Sequence, residues 1–275
     1  MPSKHFHHKI KLTLVMAFVA CLLMACDVLP SITINQTPVI PGQATPQLNM
    51  WFQASSGVQI RYEDWKDNDG DEDTVTITRF DLQDVTLSVA YQPNQPLSLS
   101  EWMRQEQATA IINGGYFDNN DVATALVIAN GHGFGQSYSG FGGMLSVNAQ
   151  GQTTLRSLAE QPYNPNADQL TQAVQSSPML VLHGKKTVFT ADTNGARRSV
   201  VAMDKQGRLL LIASPGGVFS LNAMAQLLVS SDLSIETALN LDGGASTGLY
   251  VNAGSQHVAI DAINDLPLVI VVKRK

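Results

Sequence analysis

The sequence predicts one α+β domain, with a core of strands and flanking helices, preceded by a signal segment and a tether. Two observations support this prediction. Short apolar runs recur along the chain from residue 50 onward, and each is bounded by glycine or polar turn residues, which is the pattern of buried strands. No second linker interrupts this region. With 275 residues, of which 44% are hydrophobic and 15% charged, the chain is long and apolar enough to form a sizeable core.

The N-terminus has the features of an export signal. Three lysines precede an apolar run at 12–25, which is short for a membrane-spanning helix. The four residues at 23–26, Leu-Met-Ala-Cys, resemble a bacterial lipobox, which predicts cleavage before Cys26 and lipidation of its side chain and new N-terminus. An ordinary secretory signal cut nearby is the alternative. Both interpretations predict an exported protein, and lipidation places it in the bacterial cell envelope, with the inner or outer membrane left undecided.

Cysteine and charge content exclude several function classes. Cys21 would leave with the signal and Cys26 would carry lipid, so the mature protein would have no disulfide and no thiolate for catalysis or metal binding. The formal net charge is −6, and loss of the signal removes lysines but no acids. An acidic protein without a basic run argues against nucleic acid as a partner. The membrane is predicted as a partner through the lipid anchor at Cys26.

The chain divides into three parts. Residues 1–25 are the predicted lipoprotein signal peptide, and 26–49 are a tether with four prolines among small polar residues. Residues 50–275 form the domain.

The predicted elements of the domain follow in order. An acidic segment at 64–73 lacks the register of a calcium-binding loop, which favours a solvated hairpin tip. Ser98 begins a capping box with Glu101 and starts one helix, and Ser220 caps another. A further helical segment is predicted at 168–175. The predicted strands lie at 74–80, 85–91, 110–112, 179–182, 199–203, 208–213 and 267–272.

A glycine-rich loop is predicted at 131–143. It holds six glycines with one histidine and three aromatic side chains between them. The spacing is too irregular for a dinucleotide-binding motif. The loop is either a mobile cover over a site or a plain exposed connection.

Three segments place a polar residue and glycines directly after an apolar strand. They are Asn113-Gly114-Gly115, Ser214-Pro215-Gly216-Gly217 and Asp242-Gly243-Gly244. An acid at the tip of a buried strand indicates binding or chemistry rather than packing, although a plain Asp-Gly turn is the alternative. Glycines let a ligand approach the backbone and reach its N–H groups. With Arg198 at the start of another strand, these segments are predicted to converge on one rim.

Four ordered motifs resemble those of the phosphodiester glycosidase family. They are NGGYF at 113–117, QSSPMLV at 175–181, RSVVAMDKQGRLLL at 198–211 and ALNLDGGAST at 238–247. The resemblance covers roughly residues 50–273. It implies an α+β domain with a mixed β-sheet core and flanking helices, which hydrolyses the bond between the anomeric carbon of a sugar and a phosphodiester. The expected partner is therefore a sugar-phosphodiester glycan.

The resemblance also assigns roles to single residues. Asp242 matches the family's aspartate and takes an acid/base or electrostatic role. Arg198 matches the family's arginine and suits bidentate phosphate binding, whereas without the family it would be assigned to a strand-edge salt bridge. Substrate binding is expected of Asn113, Gly114, Gly115, Ser214, Gly243, Gly244, Ser246 and Thr247.

A second catalytic carboxylate is not identified by the sequence. Asp118, Asp204 and Glu236 are candidates, but solvated turns and strand starts account for the last two. A phosphate leaving group ionises at neutral pH and needs less protonation than an alcohol, so one carboxylate is enough for the reaction.

The histidines of the mature chain do not suggest a metal or a catalytic base. His132, His183 and His257 each stand beside glycine, serine or glutamine in predicted turns and lack metal-ligand spacing. No cofactor is predicted, and a divalent cation bound through Asp242 stays open.

Two other functions fit the same residues. One is a non-catalytic lipoprotein that binds glycan or teichoic-type polymers, with Tyr116, Phe117 and Tyr138 stacking on sugars. The other is a metal-dependent phosphodiesterase that cleaves the phosphorus–oxygen bond.

Overall fold

Strands dominate the part of the chain that the computed structural model describes, which is residues 47–190, 192, 194–254 and 256–275. These residues belong to one compact unit spanning 44–275. The predicted signal peptide, nearly all of the tether, Cys21 and Cys26 lie outside the described residues. The predicted domain boundaries therefore remain predictions.

The described residues contain eighteen strands, two helices and a 3₁₀ turn at Gly244–Ser246. The helices are α1 (Leu99–Glu106) and α2 (Leu221–Ser230). The strands are β1 (Phe52–Ser55), β2 (Val58–Lys66), β3 (Glu72–Phe80), β4 (Val85–Tyr91), β5 (Ala110–Asn113), β6 (Val127–Ala129), β7 (His132–Phe134), β8 (Gly143–Asn148), β9 (Thr153–Ser157), β10 (Leu170–Ser176), β11 (Met179–Leu182), β12 (Lys185–Lys186), β13 (Arg198–Asp204), β14 (Leu209–Ser214), β15 (Ile235–Asn240), β16 (Leu249–Ala253), β17 (Gln256–Ile260) and β18 (Leu268–Arg274).

The strands form three sheets. The first has eight strands in the order β1-β2-β3-β14-β13-β15-β11-β12, the second has the order β7-β6-β10-β8-β9, and the third has the order β17-β16-β5-β18-β4. Every strand pair among the described residues is antiparallel. The predicted mixed sheet is therefore wrong. Parallel pairing needs long crossover connections, usually helical, and the described chain has only two helices. The α+β class holds in a sheet-dominated form.

One core joins all three sheets. Val201 of β13, Leu239 of β15, Ile112 of β5, Ile270 of β18 and Val174 of β10 are fully buried in the same apolar cluster. Burial of this apolar surface supplies the main stabilisation of the fold.

Each helix covers the outer face of a sheet. Met224, Ala225 and Leu228 of α2 pack on the first sheet, where alternate β13 residues such as Val200 point outward. Helix α1 packs on the third sheet, and the indole N–H of its Trp102 donates to the Leu266 carbonyl at 2.8 Å. Central strands are thus buried on both faces, which explains their nearly continuous apolar sequence.

Both predicted helix caps are confirmed. The Ser98 hydroxyl accepts the Glu101 N–H at 3.4 Å, and the Glu101 carboxylate accepts the Ser98 N–H at 3.1 Å, which completes the capping box. The Ser220 hydroxyl accepts the Ala223 N–H at 3.1 Å at the start of α2.

The helix predicted at 168–175 is wrong. This segment is β10, which pairs with β6 on one side and β8 on the other. Its Gln172 side chain is buried and accepts the Val89 N–H at 3.0 Å. A short run of apolar and polar residues fits a helix or a strand equally well, and pairing with two neighbouring strands decides its structure here.

Most predicted strands are confirmed. The runs at 85–91 and 179–182 match β4 and β11, and β13 and β14 form the predicted hairpin. The run at 267–272 forms most of β18, which lies between β4 and β5 as a central strand. The acidic segment is the tip of the β2–β3 hairpin. Within the described residues, no helix has the length and apolar character needed to cross a bilayer.

Gly115 provides a test of the junction between the second and third sheets. A Cβ added there would lie 2.3 Å from the Gln175 carbonyl oxygen, which is backbone and cannot move aside easily. Gly115→Ala should therefore lower the free energy of unfolding by about 1–3 kcal/mol, measured by urea denaturation. Gly133→Ala is the matched control, because a Cβ at Gly133 would meet nothing within 4 Å. Equal stability of both variants would contradict this packing.

Candidate active site

The glycine-bearing segments meet at one end of the first sheet. The Asp242 N–H donates to the Gly114 carbonyl at 3.0 Å, which joins the segment after β15 to the one after β5. The Gly244 N–H donates to the Arg197 carbonyl at 2.8 Å, and Ser214 lies opposite Arg198 in the β13–β14 pair. The predicted convergence on one rim is therefore present in the structure.

Arg198 and Asp242 lie level with each other on this rim. Strands β13 and β15 are neighbours, with Val200 opposite Asn240, and the Leu241 N–H donates to the Ser199 carbonyl at 2.9 Å. Counting one residue further along the same register brings Arg198 opposite Asp242. The two charged residues thus stand at the same edge of the molecule.

Asp242 is a partly buried acid. Burial raises the pKa of its carboxyl group, and the Ser246 hydroxyl and Gly243 N–H, which hydrogen-bond to the carboxylate, offset only part of that increase. The Gly243 N–H lies 2.9 Å from Oδ1. Among the described residues, no Lys, Arg or His side chain forms an ion pair with Asp242. A raised pKa makes a carboxyl group better suited to exchange a proton with a bound molecule.

Arg198 is held in a fixed orientation. The residue is 7% exposed. Its Nε donates to the Phe219 carbonyl at 2.9 Å, and its Nη2 donates to the Asn194 carbonyl at 2.8 Å. Nη2 also donates to Asp192 at 2.8 Å. Burial alone would raise the pKa of Asp192, but hydrogen bonds from the Asn194 N–H and from Arg198 lower it overall.

The strand-edge salt bridge is therefore present, and it leaves one part of the guanidinium available. Nη1 of Arg198 makes no hydrogen bond to the residues that the structure describes. A bidentate grip through both terminal nitrogens would require Asp192 to release Nη2. Within the described part of the chain, Nη1 is the one guanidinium nitrogen without a hydrogen-bond partner.

Tyr116 and Asn240 also belong to the rim. The sequence pattern assigned Tyr116 a part only in the alternative function, as an aromatic that stacks on sugars, and assigned Asn240 none. The Tyr116 hydroxyl donates to the Ser177 carbonyl at 2.9 Å and accepts from Nδ2 of Asn240 at 2.8 Å. Both residues lie inside the motifs that carry the family resemblance, and this was the signal that could have identified them.

The charges of Asp242 and Arg198 both affect the pKa of the Tyr116 hydroxyl. Burial raises the pKa of Tyr116 to about 12; the negative charge of Asp242 contributes in the same direction, while Arg198 acts in the opposite direction. The phenol is therefore protonated at neutral pH. It lies within electrostatic reach of the acid and the arginine together.

Asn113 supports the site and does not face a ligand. It is 1% exposed, its Nδ2 donates to the Asp242 carbonyl at 2.7 Å, and its Oδ1 accepts the Gly248 N–H at 3.2 Å. Both ends of its amide are therefore bonded within the protein, and the predicted contact of this side chain with substrate does not fit the structure. Asn113 positions the backbone of Asp242.

The glycine N–H groups are also committed to the protein. Gly114 donates to the Leu268 carbonyl at 2.9 Å, Gly243 to the Asp242 side chain and Gly244 to the Arg197 carbonyl. Gly115 is packed under the Gln175 carbonyl oxygen. The N–H groups of Gly114, Gly243 and Gly244 are therefore already paired within the protein, which argues against their predicted role as donors to substrate.

The predicted hydroxyl groups have different environments. The Ser214 hydroxyl donates to the carboxylate of Asp73, which also accepts the Gly216 N–H at 2.9 Å, so Ser214 holds its own turn instead of a ligand. Ser246 faces Asp242. Thr247 is fully buried, and its hydroxyl has no partner among the described residues.

An open depression of about 500 Å³ adjoins Asp242. Its lining is polar and mostly acidic or amide-bearing, and consists of Pro96, Phe117, Asp118, Asn119, Asp121, Asp242, Ser246, Asn264 and Asp265. It is shaped to take a neutral, hydroxyl-rich group rather than an anion.

Of the three candidates for a second carboxylate, one shares this depression. Asp118 lines it, and the N–H groups of Val122 and Asn120 lower the pKa of its carboxyl group. Asp204 pairs with Arg208 at the opposite end of β13, and Glu236 lies near His183. Within the described part of the chain, no three His, Cys, Asp or Glu side chains are grouped to hold a metal ion.

The structure thus brings the four motifs of the sequence together at one end of an antiparallel sheet. The chain belongs to the phosphodiester glycosidase family, because the model of that family matches residues 106–273. A search of curated proteins gives no match.

Solved structures show the same fold. The catalytic domain of zebrafish N-acetylglucosamine-1-phosphodiester alpha-N-acetylglucosaminidase, auto-inhibited by its pro-peptide, aligns with a TM-score of 0.65 and 20% identity over 79% of this chain and 83% of that one. A hypothetical protein from Synechocystis aligns with a TM-score of 0.66 and 17% identity over 84% of this chain and 64% of that one.

The raised pKa of Asp242 predicts a pH-dependent stability difference. The folded state binds this proton more tightly than the unfolded state, so the stabilising contribution is complete below the ordinary pKa of 3.8 and is lost as pH rises through the higher folded-state pKa. Asp242→Asn, which never ionises, should therefore unfold at higher urea concentration than the wild type at pH 7. The difference should shrink toward pH 4.

Asp118→Asn is the control with the opposite sign. Hydrogen bonds lower the pKa of Asp118, so its contribution to stability is present above the ordinary pKa and is lost as pH falls. This variant should be no more stable than the wild type at pH 7. An Asp242→Asn protein less stable than the wild type at pH 7 would contradict the assignment.

Proposed function

We propose that this protein hydrolyses the glycosidic bond of a sugar-1-phosphodiester. The observation that carries the proposal is the rim at which Arg198 begins one strand and Asp242 closely follows the neighbouring strand, joined by the hydrogen bond from the Leu241 N–H to the Ser199 carbonyl. Family membership supports a glycosidase-like reaction. The name of the zebrafish enzyme supports the linkage type, a sugar-1-phosphodiester.

The chemistry of such a substrate matches the two sides of the rim. A phosphodiester carries a negative charge, and Arg198 is the cation of the rim that suits it. The sugar is neutral and rich in hydroxyl groups, which suits the depression beside Asp242, where carboxylate and amide oxygens accept hydrogen bonds. The anomeric carbon would then lie between the two, next to the Asp242 carboxyl group.

Hydrolysis adds water across the bond from the anomeric carbon to the phosphate oxygen. The water oxygen joins the carbon, the carbon–oxygen bond breaks, and the phosphate monoester leaves with the bonding electrons. Asp242 exchanges the proton that the water gives up and stabilises positive charge on the sugar ring during the step. The protonated phenol of Tyr116 keeps a neutral dipole beside the developing charges.

The test uses residues 27–275 with a panel of methyl phosphodiesters of sugar 1-phosphates. We expect release of reducing sugar from at least one of them, and Asp242→Asn should lower kcat/KM about 100-fold or more while remaining folded. Glu72→Gln, an exposed acid at the hairpin of the first sheet, should keep wild-type activity.

Reaction in ¹⁸O-labelled water separates the alternatives. Label in the sugar supports cleavage at the anomeric carbon, whereas label in the phosphate identifies a phosphodiesterase. Thermal stabilisation by the panel with no product would identify a glycan-binding protein and overturn the proposal.

We also propose that the protein is exported and anchored in the bacterial envelope through lipid on Cys26. The support is the lipobox-like sequence at 23–26 after a basic and apolar segment. Several acyl chains on one residue give stable anchoring, and the predicted tether would separate the domain from the lipid.

Phase partition in detergent tests the anchor. Cys26→Ser should move the full-length protein, expressed in a bacterial host, from the detergent phase to the aqueous phase and abolish labelling with a fatty-acid analogue. Cys21→Ser is the matched control and should leave both unchanged. Unaltered labelling of the Cys26→Ser protein would show that the lipid is attached elsewhere.

A further inference from the structure

Asp192 is the acid that pairs with Arg198, and the reaction described so far gives it no part. Its Oδ2 accepts from Nη2 of Arg198 at 2.8 Å, and its Oδ1 accepts the Asn194 N–H at 3.0 Å. The Leu221 N–H at the start of α2 also donates to this carboxylate. One carboxylate thus receives hydrogen bonds from three parts of the chain.

These contacts keep Asp192 ionised. Burial alone would raise the pKa of its carboxyl group, but the three hydrogen-bond donors and the positive charge of Arg198 lower the pKa overall. The carboxylate is therefore charged at neutral pH. A negative charge stands directly beside the cation to which we assign the phosphate.

Asp192 keeps this position even when an anion takes its place on Arg198. Its side chain is 26% exposed and lines an open depression of about 490 Å³, so the carboxylate has room to turn aside without leaving the neighbourhood of the arginine. The other charged residues of the lining are two lysines and two aspartates, Lys66, Lys186, Asp67 and Asp69. Because these four cancel, Asp192 gives the lining a net negative charge.

The two kinds of phosphate ester differ in charge. A phosphodiester carries one negative charge, whereas a phosphate monoester approaches two above its second pKa of about 6. Coulomb repulsion scales with the product of the charges, so the carboxylate of Asp192 repels a doubly charged monoester about twice as strongly as a diester at the same distance. Arg198 attracts the monoester more strongly by the same reasoning, and Asp192 offsets that gain.

We propose that Asp192 makes the anion site at Arg198 selective for singly charged phosphodiesters over doubly charged phosphate monoesters. The inference rests on the proposed function, in which the substrate is a diester and the released product is a monoester. An arginine without an acidic partner binds the more highly charged anion better, and the product would then compete with the substrate. With Asp192 beside it, Arg198 gains little from the second charge.

The test compares two small probes, dimethyl phosphate and methyl phosphate, by isothermal titration calorimetry of the full-length protein in neutral detergent at pH 8. Asp192→Asn keeps the shape of the side chain and removes its charge. We expect it to lower the Kd of methyl phosphate about three- to tenfold more than the Kd of dimethyl phosphate. Asp168→Asn is the matched control and should change neither Kd, because Asp168 pairs with Arg156 of the second sheet.

The charge of methyl phosphate provides a second readout. At pH 5 this probe is singly charged, while hydrogen bonds still keep Asp192 ionised. Asp192→Asn should then change the Kd of both probes by the same factor. A purely structural role of Asp192 predicts no such convergence between pH 8 and pH 5.

Three results would overturn the selectivity. The first is an equal change of both Kd values at pH 8. The second is weaker or undetectable binding of both probes to Asp192→Asn and to Asp192→Ala, which would show that Asp192 only holds Arg198 in place. The third is an unequal change that persists when Asp192→Asn is made in an Arg198→Gln background, since the binding would then lie elsewhere.

These measurements need no turnover, so the two proposals fail separately. An unequal change of the Kd values without hydrolysis of the substrate panel means that only the proposed function fails. Hydrolysis of the panel together with an equal change of the Kd values overturns the role of Asp192 and leaves the function standing.

Discussion

A buried amide side chain holds the candidate site together. Asn113 stands at the end of a central strand of the third sheet and bonds the Asp242 carbonyl and the Gly248 N–H, while the Asp242 N–H bonds the Gly114 carbonyl. These contacts fix the backbone on both sides of the acid. Each such hydrogen bond contributes roughly 1 kcal/mol, but leaving one of these buried groups unpaired costs about 1–3 kcal/mol. The position of the Asp242 carboxyl group therefore depends on the joining of two sheets.

Hydrogen bonds to other groups keep the Arg198 guanidinium and the Asp242 carboxylate from pairing with each other. Arg198 is paired with Asp192 and with backbone carbonyls, and Asp242 bonds Gly243 and Ser246. A direct ion pair would stabilise the carboxylate and lower the pKa of Asp242. Without one, burial dominates and raises the pKa. The acid keeps its capacity to exchange a proton, and the arginine keeps one nitrogen for an anion.

Local sequence patterns predicted much of the fold, and the failures share one physical cause. Caps, hairpins and apolar runs depend on neighbours in sequence, so Ser98, Ser220 and the β13–β14 hairpin were predicted correctly. The strand that includes Gln172 was predicted as a helix because its structure is decided by β6 and β8, which are distant in sequence. The antiparallel arrangement of all three sheets likewise depends on which strands meet.

The candidate site, like the fold, was predicted from the sequence only in part. The sequence indicated that Asp242, Arg198 and the glycine segments converge, because polar residues at strand tips are visible in a linear pattern. It did not indicate which polar atoms are already used. The partners of Asn113, Gly114 and Ser214 are Gly248, Leu268 and Asp73, each more than a hundred residues away.

The loss of the glycine amides as anion donors changes the electrostatics of the rim. An anion bound there cannot draw on a nest of backbone N–H groups, as the glycine pattern suggested, and relies on the cation that remains. Among the residues that line or adjoin the site, acids outnumber cations, with Asp118, Asp121 and Asp265 beside Asp242. A free phosphate would be repelled from most of this surface and attracted toward Arg198. The charge distribution therefore orients a substrate with one neutral end and one anionic group, and it also helps an anionic product to leave.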